Sequence, residues 1–227
     1  MPPAERQGVT PSWTSSIGGV MYWDESSSVP STLELDARVA GYLRPGERVL
    51  DLGCGAGRLL GQLARQGYRA VGVDRNTASL ALARGNGLHV VRAELAALPF
   101  GDGAFDAGIL HAVLTTLATP GARRGVLGEA RRAGCRVLCI ADFLQNWDLP
   151  YYKARYEAGI AETGERGSFV VREGDRVLYT AHHFTLDELT RLLATAGYAV
   201  AFADTPVVTT RSGKRVTGVV LAAVAAH

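Results

Sequence analysis

The stretch Val49-Leu50-Asp51-Leu52-Gly53-Cys54-Gly55-Ala56-Gly57 decides the fold. A short apolar run reads as a buried strand, and three alternate glycines let the backbone turn sharply and come close to a ligand. Residues 58–65 then carry helical spacing, with Leu59, Leu60 and Leu63 on one side and Gly67 past the end. A strand that passes through a glycine turn into a helix N-terminus is the repeating unit of open α/β sheets, whose ligands lie in that crevice.

Working outward, residues 68–73 read as the next strand, followed by a helix at 77–84 and strands at 89–93 and 105–110. A helix at 120–132 and a strand at 136–142 complete the alternation. Strands separated by helices imply a parallel sheet with right-handed crossovers. Thr119 is expected to cap the 120–132 helix, with Pro120 at its first position, where the missing N–H costs nothing. Upstream, Ser31-x-x-Glu34 has the form of a capping box and predicts a helix over 32–43, stopped by Pro45-Gly46. The first 30 residues are rich in Pro, Gly and Ser, and read as a mobile arm or lid anchored by Met21-Tyr22-Trp23.

Beyond Asp142 the rhythm changes. Residues 144–167 are polar and aromatic, and 168–179 read as two strands around Glu173-Gly174-Asp175, so 144–184 is expected to form an insertion after the fifth strand. Thr185-x-x-Glu188 opens a last helix ending at Gly197. Two β-branched runs, 198–210 and 216–225, predict a closing antiparallel pair. The expected architecture is a Rossmann-like, doubly wound α/β fold: a mostly parallel seven-stranded sheet with an antiparallel C-terminal strand. Residues 31–227 form its single domain.

The totals narrow the function. The net charge of +2, with basic and acidic residues interspersed, argues against a nucleic-acid partner, which needs a concentrated basic face. Cys54, Cys135 and Cys139 form neither a disulfide framework nor a CxxC pair. No leader and no apolar run of membrane-spanning length is visible. A cytoplasmic monomer or homodimer is expected, without membrane or metal.

Arg58 stands where the dinucleotide fingerprint GxGxxG needs its third glycine, which argues against a nicotinamide oxidoreductase. Asp51, two residues before the first glycine, is a poor neighbour for a pyrophosphate and a good one for a ligand carrying an ammonium and a sulfonium. Asp74, about twenty residues on, is placed to accept hydrogen bonds from ribose hydroxyls.

In these features the chain resembles the class I S-adenosylmethionine-dependent methyltransferases of small-molecule type. The resemblance rests on VLDLGCGAG, on GVD ending at Asp74, and on Glu94-Leu95-Ala96-Ala97-Leu98-Pro99-Phe100 with Gly103-Ala104-Phe105-Asp106. It implies S-adenosylmethionine as cofactor, with Asp51 near its methionine amino group and Gly53, Cys54, Gly55 and Gly57 in the loop beneath it. Asp74 and Arg75 would face the ribose side, Glu94 and Leu95 the adenine, and His111 the methionine end, with Tyr22 closing from the arm. Glu94 replaces the commoner Asp. The N/D-P-P-Y/F tetrad of base methylators is absent, since Leu110-His111-Ala112-Val113 stands there.

For the small-molecule acceptor, the sequence offers His183 as a general base, because imidazole titrates near neutral pH. Trp147, Tyr151, Tyr152, Arg155 and His182 are candidates to line its pocket. The expected reaction is methyl transfer to an O, N or C nucleophile. The alternatives are a tRNA-modifying methyltransferase and a protein that binds the cofactor without methylating.

Overall fold

The computed structural model describes residues 33–210 and 213–226. An eight-stranded mixed sheet carries helices on both faces. The parallel strands are β1 (Arg48–Leu52), β2 (Arg69–Asp74), β3 (Val90–Arg92), β4 (Ala107–His111) and β5 (Val137–Phe143). The order is β3-β2-β1-β4-β5-β10-β8, where β8 is Tyr198–Asp204 and β10 is Arg215–Ala225. β10 slots between β5 and β8 and runs antiparallel to both. Its upstream end pairs with the short strand β9 (Val207–Thr209). The strand order therefore reverses between β1 and β4, the switch point at which such sheets bind ligands.

Side chains alternate across the sheet and define its two faces. Val49, Ile109, Cys139 and Ala141 pack beneath α1 (Ala37–Ala40) and α2 (Arg58–Arg65). Leu50, Leu52, Leu110, Leu138 and Ile140 pack with α4 (Pro120–Arg132) and α6 (Leu186–Thr195). α3 (Thr77–Gly85) joins β2 to β3. Local chemistry sets these helices: Thr119 Oγ1 accepts the Ala122 N–H at 3.1 Å ahead of Pro120, and Thr185 and Glu188 form the full capping box of α6.

Three expectations are corrected. The helix foreseen over 32–43 is a single turn, Ala37–Ala40, capped by Asp36, and the Ser31 capping box lies outside the described residues. The run 198–210 divides into β8 and β9, because β10 is long enough to pair with each in turn. The segment 144–167 contains a helix, α5 (Pro150–Thr163), before the hairpin of β6 (Ser168–Glu173) and β7 (Arg176–His182). Its buried face is Tyr152, Tyr156 and Gly159, an i, i+4, i+7 pattern masked by the surrounding polar residues. Gly159 is required there: a Cβ would stand 1.9 Å from the Ser168 carbonyl oxygen.

Candidate active site

The glycine turn leaves β1 through Gly53, Gly55 and Gly57, all at positive φ. Gly53 and Cys54 donate their N–H groups to the Val73 carbonyl at 2.8 and 3.0 Å, which ties the loop to the end of β2. A Cβ on Gly53 would stand 2.6 Å from Val113, whereas one on Gly55 would meet nothing within 4 Å. The outer side of the loop is thus an open cradle. Asp74, closing β2, accepts the Gly55 and Asn76 N–H groups at 2.8 Å each and clamps loop and α3 together. Arg75 and Glu94 form an ion pair at 3.7 Å beside it, and Leu95 is half-buried against the core.

Two buried acceptors at this edge lack donors among the described residues. Asp51 lies on the α2 face of β1, 3% exposed, and its Oδ2 has no partner among the described residues. Burial and the neighbouring Asp74 push its carboxyl up to about 7. His111, on the same face at the end of β4, has an equally orphaned Nδ1. Its bond to the Leu33 backbone therefore runs through Nε2, and because that bond favours the protonated ring, the Leu33 carbonyl is the acceptor. The proton sits on Nε2, and Nδ1 presents a lone pair. Burial lowers this imidazole to about 4, so the ring is neutral. Arg58 Nη2 donates to the same Leu33 carbonyl at 2.6 Å.

The row continues along the edge to Phe143, the last residue of β5, and into an aromatic cluster. His183 packs against Phe143, Tyr152 and Phe169 with centroids 5.5, 5.2 and 5.0 Å away. Its Nδ1 lies 2.7 Å from the Tyr156 hydroxyl, and Trp147 leans on Tyr156. Tyr151 is exposed at the rim beneath the Arg155 guanidinium and the Lys214 ammonium.

His182 points the other way, as neighbours on a strand must. Fully buried, its Nδ1 meets Ser168 Oγ at 2.9 Å and its Nε2 meets Glu188 at 2.9 Å. Glu165 accepts from Ser168 Oγ and from both terminal nitrogens of the buried Arg123 guanidinium, at 2.6 and 2.9 Å. Glu165, His182 and Glu188 hold their donor atoms within 4.8 Å of one another, but Arg123 already supplies the balancing charge.

Comparison with known proteins agrees with this fold. A family model described as "Methyltransferase domain" matches residues 50–135. A solved structure of a SAM-dependent methyltransferase from Methanosarcina mazei is 30% identical with a TM-score of 0.81, covering 86% of this chain and 99% of that one. The chain belongs to the class I S-adenosylmethionine-dependent methyltransferases. Among curated relatives, the ubiquinone biosynthesis O-methyltransferase of Hahella chejuensis is 38% identical over 72 residues, 30% of each chain. The demethylmenaquinone methyltransferase of Beutenbergia cavernae is 36% identical over 102 residues, 44% of this chain and 42% of its own. The matched regions thus span less than half of these relatives' length.

The methyltransferase cofactor is S-adenosylmethionine, and the residues present fit it. Asp51 Oδ2 and His111 Nδ1 are two acceptors awaiting a donor, and the cofactor's methionine end brings an ammonium. Tyr22 and the rest of the arm lie outside the described residues.

The acceptor side needs two corrections. His182 has both nitrogens engaged and no surface, so it is withdrawn from the pocket lining. His183 is withdrawn as a general base: burial, with His182 and Arg155 nearby, holds it down to about 3, where an imidazole takes up no proton near neutral pH.

Sequence reasoning missed two features. Asp142, fully buried at the end of β5 and pushed up to about 7 by burial, accepts the Thr115 and Phe143 N–H groups and fixes the turn after β4. An acid closing an apolar strand, as Asp74 does, was its available signal. Arg123 had none, since an arginine followed by Arg124 in a helix reads as solvated.

Proposed function

We propose that this methyltransferase transfers the methyl group of S-adenosylmethionine to an O, N or C nucleophile of a small organic molecule. The observation that carries the reading is the row along one sheet edge, from the orphaned acceptors Asp51 and His111 to Phe143 and the aromatic cluster. On this reading a cationic ligand would lie at one end of the row and a flat apolar one at the other. The quinone-pathway names of the two curated relatives support a small-molecule acceptor.

The bound cofactor supplies a methyl group already activated by the sulfonium charge. The protein's work is then to hold and orient, which accounts for most of the rate in such displacements. Asp51 and His111 Nδ1 would receive the ammonium, Asp74 the ribose hydroxyls, and the open side of Gly55 the cofactor backbone. Arg75 would stand on the ribose side, and Glu94 and Leu95 would border the adenine. Segment 144–184 would form the acceptor side, with Trp147, Tyr151, Tyr152 and Arg155 around its mouth, and the arm carrying Tyr22 would close over the cofactor and exclude water.

Among the described residues no helix is long and apolar enough to cross a membrane. A cytoplasmic monomer or homodimer without a nucleic-acid partner completes the proposal. Purified protein incubated with radiolabelled S-adenosylmethionine and cell extract should place the label in the small-molecule fraction. Label in RNA would support the tRNA reading, and none in any fraction the non-methylating one.

A further inference from the structure

The hydrogen bonds around His183 give it a role opposite to that of a base. Tyr156 Oη accepts the Asn146 backbone N–H at 3.2 Å and lies 2.7 Å from His183 Nδ1. A phenol has one proton to give. Were Nδ1 protonated and donating to Tyr156, the fully buried Tyr156 hydroxyl would have no acceptor for its own proton, a state that native interiors avoid. The phenolic proton therefore goes to Nδ1, and the ring's own proton sits on Nε2. Nε2 has no partner among the described residues, and it is not one of the side-chain atoms sealed from solvent.

The surroundings indicate what that N–H meets. Phe143, Tyr152 and Phe169 wall the imidazole with flat apolar surface, and Phe143 shares its sheet face with Asp51 and His111. The Arg155 guanidinium stands 4.5 Å over the Phe169 ring and pairs with no carboxylate among the described residues.

We propose that His183 is a specificity-determining hydrogen-bond donor, locked by Tyr156 as the neutral Nε2–H tautomer, which selects an acceptor whose flat ring bears a carbonyl, carboxylate or phenolate oxygen. A cationic amine would meet an N–H donor backed by a guanidinium and is rejected. The substrate class rests on the methyl-transfer reading above. The tautomer does not.

The test uses the full chain with isotope-labelled histidine, followed by long-range proton–nitrogen correlation spectra. His183 should show unprotonated Nδ1 and protonated Nε2 throughout about pH 6 to 8, with His183→Phe assigning the signal. Tyr156→Phe should lose the single tautomer. An Nδ1–H ring or an imidazolium in the unsubstituted protein would overturn the proposal.

Benzoate and benzylammonium then serve as probes, titrated with and without S-adenosylhomocysteine. Benzoate should move the Nε2–H resonance and bind about tenfold more weakly to His183→Phe, and benzylammonium should do neither. His183→Gln, which keeps a side-chain N–H, should restore benzoate binding, a rescue that a packing role does not give. Equal responses to the two probes, or none to benzoate, overturn the substrate class. Failure to bind S-adenosylhomocysteine by calorimetry breaks the cofactor reading instead, and the histidine spectra still decide the tautomer.

Discussion

The two halves of the site treat buried polarity in opposite ways. In the half built on β1, β2 and β4, Asp51 and His111 each keep a buried acceptor with no donor among the described residues. In the half built on α5, β6 and β7, with Arg123 reaching in from α4 and Glu188 from α6, Arg123, Glu165, Ser168, His182 and Glu188 satisfy one another, and Tyr156 satisfies His183. The second half completes itself, whereas the first is the one we propose a ligand completes. The family model ends at residue 135, so of the self-completed half only Arg123 lies within the match.

That contrast predicts opposite signs for removing a charge. Arg123→Met should lose about 3 kcal/mol in urea denaturation, because Glu165 is left ionised and partly buried without its partner. A change near zero would break the claim that this half depends on its internal network.

On the cofactor side the largest effect should fall on binding. Asp74→Ala should weaken S-adenosylhomocysteine by about 1.5 to 3 kcal/mol, the range for hydrogen bonds to a charged group, as read by calorimetry. Unchanged affinity in a folded variant would remove Asp74 from the cofactor site.

Asp51 sharpens the comparison through pH. Its carboxyl is raised from 3.8 to about 7 in the fold, so the folded state holds the proton more tightly than the unfolded chain. Stability from this group is therefore fully present below about pH 4 and is lost as pH rises through about 7. Asp51→Asn escapes that loss. It should raise the ligand-free protein's stability by about 1 to 2 kcal/mol at pH 8 and by little at pH 4, because water entry relieves part of the cost of the buried charge. The same variant should bind S-adenosylmethionine more weakly. In the unsubstituted protein, affinity should rise with pH up to about 7, because the cation binds the ionised form. A pH-independent affinity would contradict the assignment. Tyr156→Phe should cost about 1 to 2 kcal/mol in thermal denaturation, because the Asn146 N–H and His183 Nδ1 both lose their partner.

The cofactor half was legible because its signals are local. A strand, three glycines and a helix lie within 17 consecutive residues from Val49 to Arg65, and Asp74 follows after one more β-strand, so spacing alone places them on one edge. The acceptor half was legible only in outline. The hairpin around Glu173-Gly174-Asp175 and the capping box at Thr185 have fixed local signatures, but the helix Pro150–Thr163 does not, because its buried stripe is three residues wide.

By itself, then, the sequence determined the order of strands and helices, the glycine cradle and the acids at the strand ends, since turn sterics and periodicity act over a few residues. Only the tertiary structure decided which partner each buried polar atom has. Arg123 reaches Glu165 across 42 positions, and Tyr156 reaches His183 across 27. Whether a histidine is a base or a donor depends on who gives Nδ1 its proton, and that neighbour is chosen by packing.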